Sequence, residues 1–81
     1  MKISRDISSD NIIQLLKKYD YKITRQTGSH IRLTYNLKGT EHHITIPGHK
    51  DLKVGTINSI LNDISKYLEI DKEILIKNLS E

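Results

Sequence analysis

The chain has 81 residues, room for one small domain with one core and one main site over residues 1–81. It contains no Cys, Phe or Trp, which excludes disulfides, thiolate catalysis and zinc-thiolate sites and leaves the core to Ile, Leu and a few Tyr. Thirteen Lys and Arg against ten Asp and Glu give a formal charge of +3, and no apolar run approaches the roughly 20 residues of a membrane span.

Helix one is predicted over residues 10–19. Ser8, Ser9 and Asp10 supply acceptors for the free N–H groups of its first turn, Ile12, Leu15, Leu16 and Tyr19 recur at helical spacing, and Lys17 and Lys18 suit its negative end. Asp20 is expected to end it. Tyr21, Ile23 and Arg25 alternate with Lys22, Thr24 and Gln26, the period of a strand, and Thr27-Gly28-Ser29 reads as the turn that follows. In strand two Ile31, Leu33 and Tyr35 point to one face, while His30, Arg32 and Thr34 point to the other. A second turn over residues 36–40 leads to strand three, residues 41–47, with Ile44 and Ile46 inward and His43 and Thr45 outward. Pro47 lacks an N–H and marks a strand end or an edge.

A loop over residues 48–55 follows, from which Leu52 and Val54 are expected to tuck under helix two. Thr56 is the expected N-cap of that helix, and Ile57, Ile60, Leu61, Ile64 and Leu68 are its apolar stripe. Ile70-Asp71 reads as staple and cap of a short third helix with apolar Ile74, Leu75 and Leu79. The fold class is therefore α+β: α-β-β-β-α with a three-stranded antiparallel sheet, helices on one face, and an extra short C-terminal helix.

Between residues 21 and 55 stand Lys22, Arg25, Arg32, Lys38, Lys50 and Lys53 against Glu41 and Asp51 alone, so the middle of the chain is the electropositive part and suits a phosphate backbone. Within it, Gly28, Ser29 and His30 lie close to Arg25 and Arg32. An imidazole can both accept and donate a proton near neutral pH, and Arg stabilises charge developing on a phosphate. Gly28 allows close approach of backbone to ligand, and the N–H groups of Ser29 and His30 can bind a phosphate oxygen. Residue types alone fit equally a plain turn followed by a solvated histidine.

His42 and His43 are adjacent on a strand and so point to opposite faces, which argues against joint metal ligation; no metal or other cofactor is expected. Gly48, His49, Lys50 and Lys53, leading into helix two, suit a phosphate cradle or a solvated charged loop.

Arg25-Gln26-Thr27-Gly28-Ser29-His30, then Ile44-Thr45-Ile46-Pro47, His49, Leu52-Lys53-Val54-Gly55-Thr56-Ile57 and Ile60-Leu61 together resemble the HicA family of toxins from prokaryotic toxin-antitoxin modules, over about residues 8–68. The resemblance implies a double-stranded-RNA-binding-like fold and a metal-independent endoribonuclease that cleaves mRNA. It assigns the catalytic role to His30, the histidine of Gly-Ser-His. Arg25, Gly28, Ser29, Arg32, His49, Lys50 and Lys53 are the expected RNA-binding residues. It further implies a HicB-type antitoxin partner covering the active face, with a homodimer or a heterotetramer with the antitoxin as the assembly. The chain extends past the shortest family members after Leu68, and this extension is open to dimerisation, antitoxin docking or core completion.

A non-catalytic RNA-binding module of the same fold is the alternative reading, and a protein-interaction domain with a basic face is a third. The amino terminus, Met1-Lys2-Ile3-Ser4-Arg5-Asp6, has no signal-peptide core, so a cytoplasmic location is expected.

Overall fold

The computed structural model describes residues 7–37, 39–48 and 52–79. Within them the order is α1 (Ser9–Lys18), β1 (Lys22–Thr27), β2 (His30–Tyr35), β3 (His42–Pro47), α2 (Val54–Leu68) and α3 (Lys72–Leu79), the α+β order expected from periodicity. The strands form one antiparallel meander, β1-β2-β3. No helix among the described residues is long and apolar enough to cross a membrane.

α1 opens one residue earlier than its pattern predicts. Ser8 is the cap: its hydroxyl accepts from the Asn11 N–H at 3.3 Å and its own N–H donates to Asn11 Oδ1 at 2.9 Å, a reciprocal capping box. At the other end Asp20 stops the helix by taking a left-handed backbone, φ 71°, a conformation Asp tolerates better than most residues. That reversal delivers Tyr21 into the core at 1% exposure.

The core is made by Ile and Leu from every helix and from β2 and β3. Ile12, Leu16, Leu33, Ile46, Ile57, Leu61, Ile64 and Leu75 are all fully buried. Burial of each such side chain contributes about 1.5–3 kcal/mol. α3 belongs to this core through Leu75 and Ile76, and Asn78 Nδ2 donates at 2.5 Å to the hydroxyl of Tyr19, the C-cap of α1. Of the three uses left open for the extension, core completion is thus realised. Ile74, expected on the apolar side, is 51% exposed; Ile76 takes its place. Asp71 does cap α3, its Oδ1 accepting from the Glu73 N–H at 3.1 Å.

Two expectations at the start of α2 are corrected. The helix begins at Val54 with Lys53 in the cap position and no side-chain cap bond, so Thr56 lies inside the first turn. Here tertiary anchoring outweighs capping chemistry: Leu52 is buried, its N–H donates to the Ile7 carbonyl at 2.9 Å, and the helix starts directly from that anchor. Val54 does not tuck under the helix but is 41% exposed, being the first helical residue at the edge of the stripe set by Ile57, Ile60, Leu61 and Ile64.

The third correction sets the geometry of the open sheet face. β1 pairs Ile23 with Leu33 but Arg25 with Arg32, so Thr24 is an extra residue, a β-bulge. Strict alternation would put Arg25 on the face of Tyr21 and Ile23. The bulge moves it to the face of Arg32. β1 is an edge strand, exposed along its whole length.

Candidate functional site

Thr27 pairs with His30, so the β1–β2 loop is only Gly28-Ser29, and Thr27 is a strand residue and not part of the turn. Gly28 has φ 54°, whereas Ser29 is not among the residues with positive φ, the pattern of a type II′ hairpin turn with glycine first. The Ser29 carbonyl accepts a hydrogen bond from the Gly48 N–H, which carries the β2–β3 ladder one step past the His30–Pro47 pair. A Cβ on Gly48 would lie 2.5 Å from that carbonyl oxygen, so this close approach requires glycine.

On the sheet face away from the helices, side chains fall in rows set by the register. Thr27, His30 and Pro47 form one row; Arg25, Arg32 and Thr45 form the next; Thr34 and His43 form the third. Arg25, Thr27, His30, Arg32 and Thr45 line a depression of about 180 Å³.

His30 is exposed at its edge. Arg25 and Arg32 stand directly opposite each other, a like-charge pairing that costs stability unless something anionic joins it. Among the described residues neither guanidinium is ion-paired. Nε of Arg32 is buried and has no partner among them. A buried donor left unmade costs about 1–3 kcal/mol.

The other predicted residues are placed as follows. Gly28 and Ser29 form the turn beside the depression. Lys53 is exposed at the amino end of α2 and is not among the lining residues. His49 and Lys50 lie outside the described residues. Two residues that line the depression are not singled out by sequence: Thr27, which reads as part of the turn, and Thr45, whose outward alternation is a usable signal; Gly48, which reads as part of a phosphate cradle, instead holds Ser29 through a long-range contact that leaves no local pattern.

The two adjacent histidines do face opposite ways. His42 is on the helix side, its Nδ1 2.6 Å from the Tyr21 hydroxyl, its ring stacked on Tyr67 at 4.1 Å and its Nε2 3.9 Å from Asp63. Burial, reinforced by Tyr67, Asp63 and Tyr35, pushes the Tyr21 phenol well above its ordinary range. His43 is on the open face, bonded through Nδ1 to Thr34. Among the described residues no three His, Asp or Glu side chains gather as a metal site.

The family model for the HicA toxin of bacterial toxin-antitoxin matches residues 9–65, which hold α1, the whole sheet, the Gly28-Ser29 turn and all five residues lining the depression. Searches among curated proteins and among solved structures give no match. With more than half of its length matched, the chain belongs to the HicA toxin family of bacterial toxin-antitoxin modules.

Proposed function

We propose that this HicA-family toxin is an endoribonuclease that binds and cleaves mRNA, with His30 as its acid-base group and no metal ion in the reaction. The observation that carries this reading is the depression itself, where one exposed imidazole and two guanidiniums without carboxylate partners among the described residues share a single concavity. RNA supplies a matching reaction. His30 takes the proton of a 2′-hydroxyl, that oxygen attacks the adjacent phosphorus, and the bond to the 5′-oxygen breaks as that oxygen gains a proton, leaving a 2′,3′-cyclic phosphate and a 5′-hydroxyl.

Arg25 and Arg32 stabilise the charge that builds on the phosphate oxygens. Gly28 and Ser29 shape the turn so that backbone N–H groups reach a phosphate oxygen. Lys53, His49 and Lys50 hold the flanking RNA backbone through charge. The whole of residues 1–81 acts as one domain, in the cytoplasm, where mRNA is found. A HicB-type antitoxin neutralises it by covering the same basic face, in a heterotetramer or against a toxin homodimer.

The test is His30→Ala assayed on labelled single-stranded RNA in EDTA. The wild-type protein is expected to release fragments, and the variant to lose at least about 100-fold in rate, the usual contribution of a positioned acid-base group, while keeping its circular dichroism spectrum. Binding without fragments by the wild type points instead to a non-catalytic RNA-binding module. Full cleavage by the variant removes His30 from its role.

A further inference from the structure

The bulge at Thr24 does more than bring Arg25 to the face of Arg32. Lys22 pairs with Thr34, whose hydroxyl is on the open face, bonded there to Thr24 and His43. Residues paired directly across two strands point to the same side of the sheet, so exposed Lys22 belongs to the open face too. In a regular strand Lys22 and Arg25, an odd number of positions apart, would point to opposite faces. The extra residue between them puts both cations on one face.

Three consecutive rows along β1 and β2 therefore each hold a basic side chain: Thr27 with His30, Arg25 with Arg32, and Lys22 with Thr34. Rows on one face of a strand repeat about every 7 Å, close to the spacing of successive phosphates in an extended RNA strand. An RNA whose scissile phosphate lies in the depression, and whose backbone follows the strands, brings its next one or two phosphates over Lys22.

Charge decides which side of the sheet that backbone follows. No Asp or Glu stands in these three rows on any of the strands. Two carboxylates lie in sequence just beyond the third row, Glu41 before β3 and Asp20 before β1. Glu41 is 3.6 Å from His43, so the β3 side carries its own negative charge. Asp20 makes no ion pair with Lys22, and among the described residues Lys22, Arg25 and Arg32 are all without a carboxylate partner. Uncompensated positive charge thus runs along β1 and β2.

We propose that Lys22 is a second phosphate subsite, which holds the RNA backbone one or two nucleotides from the cut and sets the line of the strand across the sheet, along β1 and β2. The inference rests on the endoribonuclease reading above and deepens it: the preferred substrate is a strand extended past the scissile bond on the Lys22 side. An acidic surface of a partner protein also suits this charge. RNA is favoured because its charges repeat evenly, as the rows do, and because the lane begins at His30.

The experiment maps one cut made by the wild-type protein in a labelled RNA, then assays RNAs shortened one nucleotide at a time from either end towards that cut. From one end, removal of the phosphate one or two past the scissile bond is expected to lower kcat/KM by about three- to fivefold, the scale of one exposed charge contact. Lys22→Gln is expected to lack this step and to keep the steps at the other end. Lys22→Arg retains the charge and is expected to retain the step. Absence of any such step in the wild type, or its persistence in Lys22→Gln, overturns the subsite and leaves the nuclease reading standing. Equal slowing of every RNA by Lys22→Gln, with the step intact, makes the lysine structural and overturns it too. Loss of antitoxin binding in Lys22→Gln with unchanged RNA steps assigns the lysine to a protein partner, with the same result. No cleavage by the wild type removes the nuclease reading, and the subsite with it.

Discussion

The Gly48 N–H donates to the Ser29 carbonyl, so the residue that leaves β3 holds the turn that carries His30. Two glycines therefore serve this turn in different ways. Gly28 supplies a left-handed φ of 54° in open space, while Gly48 supplies the absence of a Cβ where one would stand 2.5 Å from a backbone oxygen. Gly28→Ala is expected to cost about 1–2 kcal/mol from backbone conformation alone, and Gly28→Asn less, since Asn visits that region more readily. Gly48→Ala is expected to cost about 1–3 kcal/mol by displacing Ser29, and to lower RNA cleavage as well. Urea denaturation of the three variants, with cleavage rates, checks both the ranking and its separation by mechanism. Equal cleavage by Gly48→Ala and wild type would show that His30 does not depend on this contact.

The bulge at Thr24 turns two separate arginines into a facing pair. If both guanidiniums grip phosphates, log Kd for single-stranded RNA varies linearly with log salt, and Arg25→Ala and Arg32→Ala each reduce that slope by about 1. Arg32→Lys should not restore binding, since an ammonium cannot supply that planar geometry. Fluorescence anisotropy over a salt series measures both effects.

Most of the core and the strand order can be read from the sequence because they rest on local periodicity: Ile12 with Leu16, Leu33 with Tyr35, Ile44 with Ile46, Ile57 with Leu61. The site is less legible. Arg25 reaches it only because one residue is added to β1, and a bulge shows in the pairing of two strands, not in either strand alone. Thr34, outward by alternation, is nevertheless 7% exposed because Thr24 and His43 close over it. The start of α2 departs from its local pattern for the same reason. Thr56 has the right chemistry for a cap, but the anchor that sets the helix is Leu52 bonded to Ile7, 45 residues earlier in the chain. The chain departs from its local pattern where a distant contact overrides a local preference.

The family match ends at residue 65, yet the core continues into α3. Leu75 is fully buried, so Leu75→Ala is expected to cost about 2–5 kcal/mol, within the range of a central core truncation such as Leu61→Ala. Ile74→Ala, on the exposed side of the same helix, is expected to change stability by less than about 0.5 kcal/mol. Thermal melts of the three variants test this. Comparable small effects for Leu75 and Ile74 would mean that α3 is dispensable to the core.

Tyr21 gives the fold a specific weakness at high pH. Its phenol is buried, hydrogen-bonded to His42, and raised above its ordinary value chiefly by that burial and then by Tyr67, Asp63 and Tyr35. A raised folded-state pKa means that the native chain keeps the proton after the unfolded chain has lost it. The contribution is fully present below the unfolded value of about 10 and is lost as pH rises beyond it, because only the unfolded state then gains by ionising. The stability difference between wild type and Tyr21→Phe should therefore be constant up to about pH 9 and then move against the wild type, approaching about 1.4 kcal/mol per pH unit above pH 10. Below that range the Phe variant is expected to be less stable by about 1 kcal/mol through loss of the bond to His42. Subtracting the variant cancels the ionisation of the lysines and of the other tyrosines, so urea titrations of both proteins between pH 7 and pH 11 isolate this one phenol. A difference that stays flat across pH 10 would mean that Tyr21 ionises as easily in the fold as outside it.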